Sequence, residues 1–179
     1  QAAESIAKYL KKGDLVILRS TVPVGTCRKT VVPLLEASGL KAGKDFYLTF
    51  APERTVEGKA LQELRTLPQI IGGVNRVSVD MAANLFRQFA PHIVDVGSLE
   101  EAEMVKLINN SFRDVSFGFA NEFSLLCDKL NLDAAKIIKS ANDGYPRNRI
   151  PLPSPGVGGV CLKKDPYIFL QLFAALELL

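Results

Sequence analysis

The 179 residues, 47% of them apolar, suffice for one domain with a real core or for two small ones. A net charge of +3, made of both signs dispersed along the chain with no basic run, argues against nucleic acid as a partner. Three cysteines, Cys27, Cys127 and Cys161, are far apart and odd in number, which fits a reducing cytoplasm better than a disulfide framework.

No CxxC or Cys/His spacing points to a metal, and the single histidine, His92, has no neighbour that would make it part of a triad. Neither a signal peptide nor an apolar run of about 18 residues suggests a membrane partner. The chain opens inside an amphipathic pattern and stops inside an apolar one, so it reads as a piece of a longer polypeptide.

In chain order, Ala3, Ile6, Ala7 and Leu10 share a helical face, predicting a helix over 2–10. Leu15-Val16-Ile17-Leu18 is a continuous apolar run, expected of a parallel strand buried on both faces. A loop, Ser20 to Thr26, leads to a helix from about Cys27 to Ala37. Phe46 to Phe50, Gln69 to Gly73 and His92 to Val96 read as strands, with a helix from Val79 to Phe89 between the last two. This alternation predicts α/β with a parallel sheet over 1–97. From residue 98 the character changes. Leu99 to Leu130 is one long helical pattern without proline, and Asp133 to Ala141 is a shorter helix capped by Asn131 or Asp133. A Gly/Pro-rich loop over 143–160 then leads to a last helix, so 98–179 is expected to be all-helical.

That last helix opens with Asp165-Pro166, which reads as an N-cap followed by proline at the first helical position. Just before it stand Gly156-Val157-Gly158-Gly159-Val160-Cys161-Leu162-Lys163-Lys164. The glycines let the backbone pass close to a ligand. A helix N-terminus and two lysines favour the Cys161 thiolate, as a nucleophile requires. A buried, inert cysteine in a glycine turn is the plainer alternative.

Within the long helix, Lys106 and Asn110 lie four apart on one face, in a stripe continued by Glu103 and Arg113. Either this is a solvated face, or the apolar residues around it mark a largely buried helix whose polar groups need partners. Glu53 and Glu57 follow a strand end, where α/β sheets place ligands. No GxGxxG turn follows a strand anywhere, so a dinucleotide's phosphate-binding turn is expected outside these residues.

GVGGVCLKKD (156–165), AEMVKLINN (102–110), APERTVEG (51–58) and STVP (20–23) together resemble four motifs of the UDP-glucose/GDP-mannose dehydrogenase family, in family order and over essentially the whole chain. Lys163 stands where the family often has proline. NSFRDV (110–115) and YPRNRIPLPSPGVGG (145–159) look nearest to the branch that oxidises UDP-N-acetylhexosamines, with UDP-glucose the alternative substrate. The resemblance implies the later part of a Rossmann-like sheet in 1–97, followed by a central helical dimerisation domain in 98–179. It implies NAD as cofactor, a UDP-sugar as substrate and a homodimer joined through the helical half. Four-electron oxidation of the C6 alcohol would pass through a thiohemiacetal and a thioester on Cys161. Lys106 and Asn110 would donate to the substrate oxyanion. Glu53 would act as acid/base through water, with Thr21 and Asp165 supporting that water. Thr21, Glu57, Cys161 and Lys164 would contact cofactor. Glu53, Arg54, Lys106, Asn110, Arg147, Leu152, Gly156 and Gly158 would contact substrate. Two rivals stand beside this: a purely structural dimerisation module, and a cysteine acyl-transferase or hydrolase, which lacks a histidine base.

Overall fold

The computed structural model describes residues 1–147, 149–156, 159 and 162–177. Two compact units divide the chain, Gln1–Lys106 and Leu107–Leu179. In the first, helix α1 (Ala2–Ala7) precedes β1 (Leu15–Leu18). A five-residue π-helical turn (Cys27–Val31) then runs into α2 (Val32–Glu36) and returns the chain to β2 (Tyr47–Phe50). After α3 (Ala60–Thr66) come β3 (Gln69–Gly73), α4 (Arg76–Phe86), β4 (Ile93–Ser98) and the first turns of α5 (Leu99–Leu130).

The strands lie in the order β1-β2-β3-β4. β1 and β2 are parallel, as are β3 and β4, but β2 and β3 are antiparallel, which departs from an all-parallel expectation. The reason lies in the connections. A crossover helix covers a sheet face with its apolar side. Helix α4 does this, burying Val79, Ala82, Ala83 and Phe86, whereas α3 buries none of its residues. β1 also differs from expectation: it is half-buried throughout, because it pairs within this sheet on one side only.

Successive strand residues point to opposite faces. Ile70 accordingly joins Cys27, Leu35, Phe46, Leu48, Phe50, Leu99 and Ala102 in one core. Its neighbour Ile71 joins Ala51 and the buried face of α4 in the other. A Cβ at Gly72 would collide with the Ser98 carbonyl and stand 2.9 Å from Ala102 Cβ. Glycine is therefore what lets β3 meet the β4–α5 junction closely. Asn75 caps α4 by accepting the Ser78 N–H at 2.9 Å.

The second unit holds the rest of α5, α6 (Ala134–Asn142) and α7 (Asp165–Ala175). Asp133 caps α6, accepting from Lys136 N at 2.9 Å, while Asn131 takes a positive φ of 53° just before it. Two expectations need correction. Asp165 is the first residue of α7 rather than its N-cap, a place taken by Lys164, because its carboxyl is turned to other partners described below. Helix α5 is also less buried than its apolar content suggests. Ile108, Phe112, Val115 and Phe119 are exposed, and their spacing gathers them on one stripe of the helix, facing away from its own core.

Candidate active site

The first unit assembles a polar cluster where β1 and β2 end together. Ala51 and Pro52 carry the chain from β2 to Glu53, which has a fixed partner at each of four positions. Its N–H donates to the Arg19 carbonyl at 3.2 Å, and its own carbonyl accepts the Lys106 ammonium at 2.6 Å. Oε1 accepts the Thr55 N–H at 2.8 Å, and Oε2 takes Arg19 Nη2 at 2.7 Å. Burial pulls the Glu53 carboxyl up, but the Thr55 N–H and hydroxyl and the Arg19 guanidinium outweigh it and leave the group below its usual range. Two residues singled out from sequence, Glu53 and Lys106, are thus brought together. Among the described residues the other two N–H bonds of the Lys106 ammonium meet no acceptor.

Other predicted positions in this unit are more loosely placed. Thr21 is half-buried in the loop after β1. Glu57 is exposed beside Gly58, and Arg54 turns its guanidinium toward the Pro68 carbonyl at 3.5 Å. Arg19 was not among the expected site residues. Its signal was positional: it is the residue between a buried-type strand and the Ser20-Thr21-Val22-Pro23 loop.

Of the two readings of the Glu103 stripe, a solvated face or buried polar groups with partners, Glu103 follows the second. It is buried, and its carboxyl accepts the N–H of Gly25 at 2.5 Å and of Cys27 at 2.8 Å. These amides open the π-helical turn, so a carboxyl from α5 caps it from 76 to 78 residues away. Gly25 takes a positive φ of 89° there, which glycine adopts freely. Burial and the Glu103 carboxyl push the Cys27 thiol well above its ordinary value, so Cys27 is an inert thiol.

The second unit holds a drier cluster. Asn110 is buried and donates Nδ2–H to Asp165 Oδ2 at 2.6 Å. Asp165 is fully buried, with Oδ1 2.9 Å from the half-exposed Lys164 ammonium. The latter is an ion pair whose angle is too poor for a hydrogen bond. Among the described residues the second N–H of Asn110 meets no acceptor.

Arg147 is exposed, its guanidinium 5.5 Å from the Tyr145 ring centre and 3.3 Å from its hydroxyl. Leu152 is exposed as well, on an open cavity of about 1250 Å³ lined also by Phe117, Lys139, Asn142 and Arg149. The loop is held at two points: Asn142 bridges both the N–H and the carbonyl of Ile150, and Asn121 accepts the Ser154 N–H. Gly156 has a positive φ of 73° and accepts the Ser154 hydroxyl at 2.8 Å. Cys161 and Gly158 lie outside the described residues. Among the described residues no helix is long and apolar enough to cross a membrane.

Known proteins bear on both units. Residues 1–90 match the NAD binding domain of the UDP-glucose/GDP-mannose dehydrogenase family, and residues 100–178 match its central domain. The UDP-N-acetyl-D-mannosamine dehydrogenase of Pyrococcus horikoshii is 41% identical over 171 residues, spanning 96% of this chain and 41% of that protein. That of Campylobacter jejuni is 42% identical over 93% of this chain and 42% of its own length. A solved structure of the P. horikoshii UDP-D-ManNAc dehydrogenase aligns with a TM-score of 0.89, over 95% of this chain and 40% of that one. An NDP-N-acetyl-D-galactosaminuronic acid dehydrogenase from Methanosarcina mazei Go1, at 31% identity, gives 0.85 over 97% and 38%. The chain therefore spans about two fifths of the length of the curated relatives it matches. With the Glu53–Lys106 and Asn110–Asp165 pairs standing at the motif positions that carried the resemblance, the chain belongs to the UDP-glucose/GDP-mannose dehydrogenase family.

Proposed function

We propose that this chain serves an NAD-dependent nucleotide-sugar 6-dehydrogenase, which oxidises the C6 alcohol of a UDP-N-acetylhexosamine to the uronate. The observation that carries the reading is the pairing of motif residues, Glu53 with Lys106 and Asn110 with Asp165, in a chain whose residues 1–90 and 100–178 match two domain models of one family. Relatives named as UDP-N-acetyl-D-mannosamine dehydrogenases support the choice of an N-acetylated sugar over UDP-glucose.

The residues present fit the nicotinamide side of a dinucleotide. Thr21 and Glu53 follow the carboxyl ends of two parallel strands, where such sheets hold ligands. The helix start after β1 is not free for a pyrophosphate, because Glu103 already occupies its amides. NAD, when bound, supplies the electron acceptor for each of the two oxidations. What the chain supplies is charge and position. Lys106 and Asn110 stabilise the negative oxygen that develops on C6 at each stage. Glu53, held as a carboxylate, accepts a proton through water. Cys161 adds to the C6 aldehyde as a thiohemiacetal; loss of two electrons gives a thioester, and water then releases the uronate and the free thiol. Asp165 orients Asn110 and, with Thr21, the water. Arg147, Leu152, Gly156 and Gly158 hold the sugar nucleotide, with Arg54 beside Glu53. Glu57 and Lys164 face the cofactor.

The exposed stripe of Ile108, Phe112, Val115 and Phe119 supports a homodimer through α5, since an apolar patch of this kind marks an interface. Free, buried Cys27 and Cys127 suit a cytoplasmic enzyme. The test uses the full-length protein with NAD and, in turn, UDP-N-acetylmannosamine, UDP-N-acetylglucosamine and UDP-glucose. Two NADH per sugar are expected, fastest with an N-acetylated substrate. Cys161→Ser should lose several orders of magnitude in rate, as removal of a covalent catalyst does. Wild-type turnover in that variant, or turnover without NAD, would sink the proposal.

A further inference from the structure

We propose that Arg19 is a positioning residue, which holds the Glu53 carboxyl in one orientation at the carboxyl edge of the sheet. This rests on the reading of Glu53 as the acid/base group.

The argument is geometric. Arg19 directly follows β1, and its carbonyl accepts the Glu53 N–H at 3.2 Å, so the two backbones are joined before the side chains meet. Its guanidinium reaches Glu53 Oε2 at 2.7 Å. The same guanidinium lies 5.2 Å from the ring centre of Phe86, which is itself buried in the core on the α4 side of the sheet. A ring fixed in a core restricts the cation resting on it, and a planar guanidinium suits such stacking better than an ammonium would. An ordinary surface ion pair between two freely moving chains contributes little. Here the arginine is backed by an aromatic, and the glutamate is anchored a second time through the Thr55 N–H on Oε1 at 2.8 Å. Each carboxylate oxygen thus has one fixed donor and keeps further lone pairs for a water.

The charges around Glu53 come from four elements. Arg19 approaches from the end of β1, and Lys106 from α5 onto the Glu53 carbonyl. Arg54 in the same loop faces the Pro68 carbonyl. Glu63 of α3 lines the same crevice but gives its carboxyl to the Val56 N–H at 2.7 Å. Among the described residues three cations therefore stand against one other acid, and of these charged groups Arg19 is the one that contacts the Glu53 carboxyl. A mainly structural role for Arg19 would alter folding without altering how Glu53 titrates.

The test uses the full-length enzyme and the pH profile of kcat/KM. Arg19→Gln is expected to move the acid limb to higher pH, with the greatest loss of rate at low pH and recovery as pH rises. Arg19→Lys, which keeps the charge but not the fork, should return the limb part of the way. An unmoved limb in folded Arg19→Gln would overturn the inference. Should Arg19→Gln not fold, Phe86→Leu removes the backing while leaving the ion pair; it should move the limb the same way by less, and an unmoved limb there defeats the inference too. Glu53→Gln separates this inference from the reading beneath it, with a loss of about 10²–10⁴-fold expected for a general base. If Glu53→Gln loses that rate while the Arg19 variants leave the limb in place, the inference alone fails. If Glu53→Gln keeps full activity, the acid/base reading itself fails.

Discussion

Glu53 in the first unit and Asp165 in the second are both acids at motif positions, yet they are held in opposite ways. Glu53 is half-buried, with the Arg19 guanidinium and the Thr55 N–H on its carboxyl and the Lys106 ammonium on its carbonyl. Asp165 is fully buried and, among the described residues, has one amide donor and one half-exposed ammonium, so close packing and a hydrogen bond hold it as well as an ion pair. An acid held by charge in partial contact with water stays ionised and can exchange protons with solvent, as acid/base work requires. An acid held in a dry site is better suited to orienting a neighbour, because any change there strands a buried polar group. On the function proposed above, proton transfer would fall to the first cluster and positioning to the second, and each role can be broken.

The largest effect separates rate from stability. Glu53→Gln keeps the size of the side chain and should lower kcat by about 10²–10⁴ with little change in melting temperature, since the group is half-exposed. Asn110→Ala should lower kcat by roughly 10²–10³, as loss of one oxyanion donor does. It should also cost about 1–3 kcal/mol, because Asp165 Oδ2 loses its donor in a buried site. Kinetics together with thermal melting checks both. A Glu53→Gln variant that loses stability but not rate would reverse the assignment, as would an Asn110→Ala variant that loses neither.

These clusters were unequally legible in the sequence. The helix from Leu99 to Leu130 was readable to the residue, because no proline interrupts it and the turn chemistry on both sides is clear. Gln69–Gly73 is a strand as its sequence suggests, and Leu15–Leu18 was equally plain as an apolar run. The antiparallel pairing of β3 was not, because strand–helix alternation does not reveal that α3 lacks a buried face. Glu103 has its partners 76 to 78 residues away, and local periodicity carries no trace of such a cap. Asp165 before proline looked like an N-cap because the local pattern allows it; only the fold shows that its carboxyl is taken by Asn110. Arg19 carries no local signal for its role, because its partners Glu53 and Phe86 are 34 and 67 residues away in the chain.

A smaller effect follows from pH. The Glu53 carboxyl lies below its usual 4.5, and so does that of Glu100, which is held mainly by its hydrogen bond to Arg28. A carboxyl depressed on folding contributes stability that is fully present above the unfolded value and is lost as pH falls through the folded one. The first unit should therefore hold its stability down to the ordinary carboxylate range and lose it below that. Melting temperature against pH between neutrality and pH 3 checks this. In Glu53→Gln and Glu100→Gln the acid slope should flatten, and an unchanged slope in both would mean that other groups carry it.

The smallest effect comes from salt, and it probes the difference between the two clusters most directly. The Arg19–Glu53 pair keeps 30% and 44% of its side-chain surface exposed, so ions can reach it. At about 1 M salt the screening length falls to roughly 3 Å, comparable with the pair's own separation. An exposed pair is worth only about 0.2–1 kcal/mol, so screening should move the acid limb of kcat/KM a little toward the ordinary carboxylate range rather than abolish activity. The Asn110–Asp165 bond joins a neutral amide to a buried acid, where ions do not reach. The stability lost in Asn110→Ala should accordingly be the same at low and high salt. Measured side by side, a salt-sensitive acid limb and a salt-insensitive Asn110 penalty are expected. A penalty that shrinks with salt would mean that the Asn110 contact itself depends on exposed charge, and the contrast between the two acids would fail.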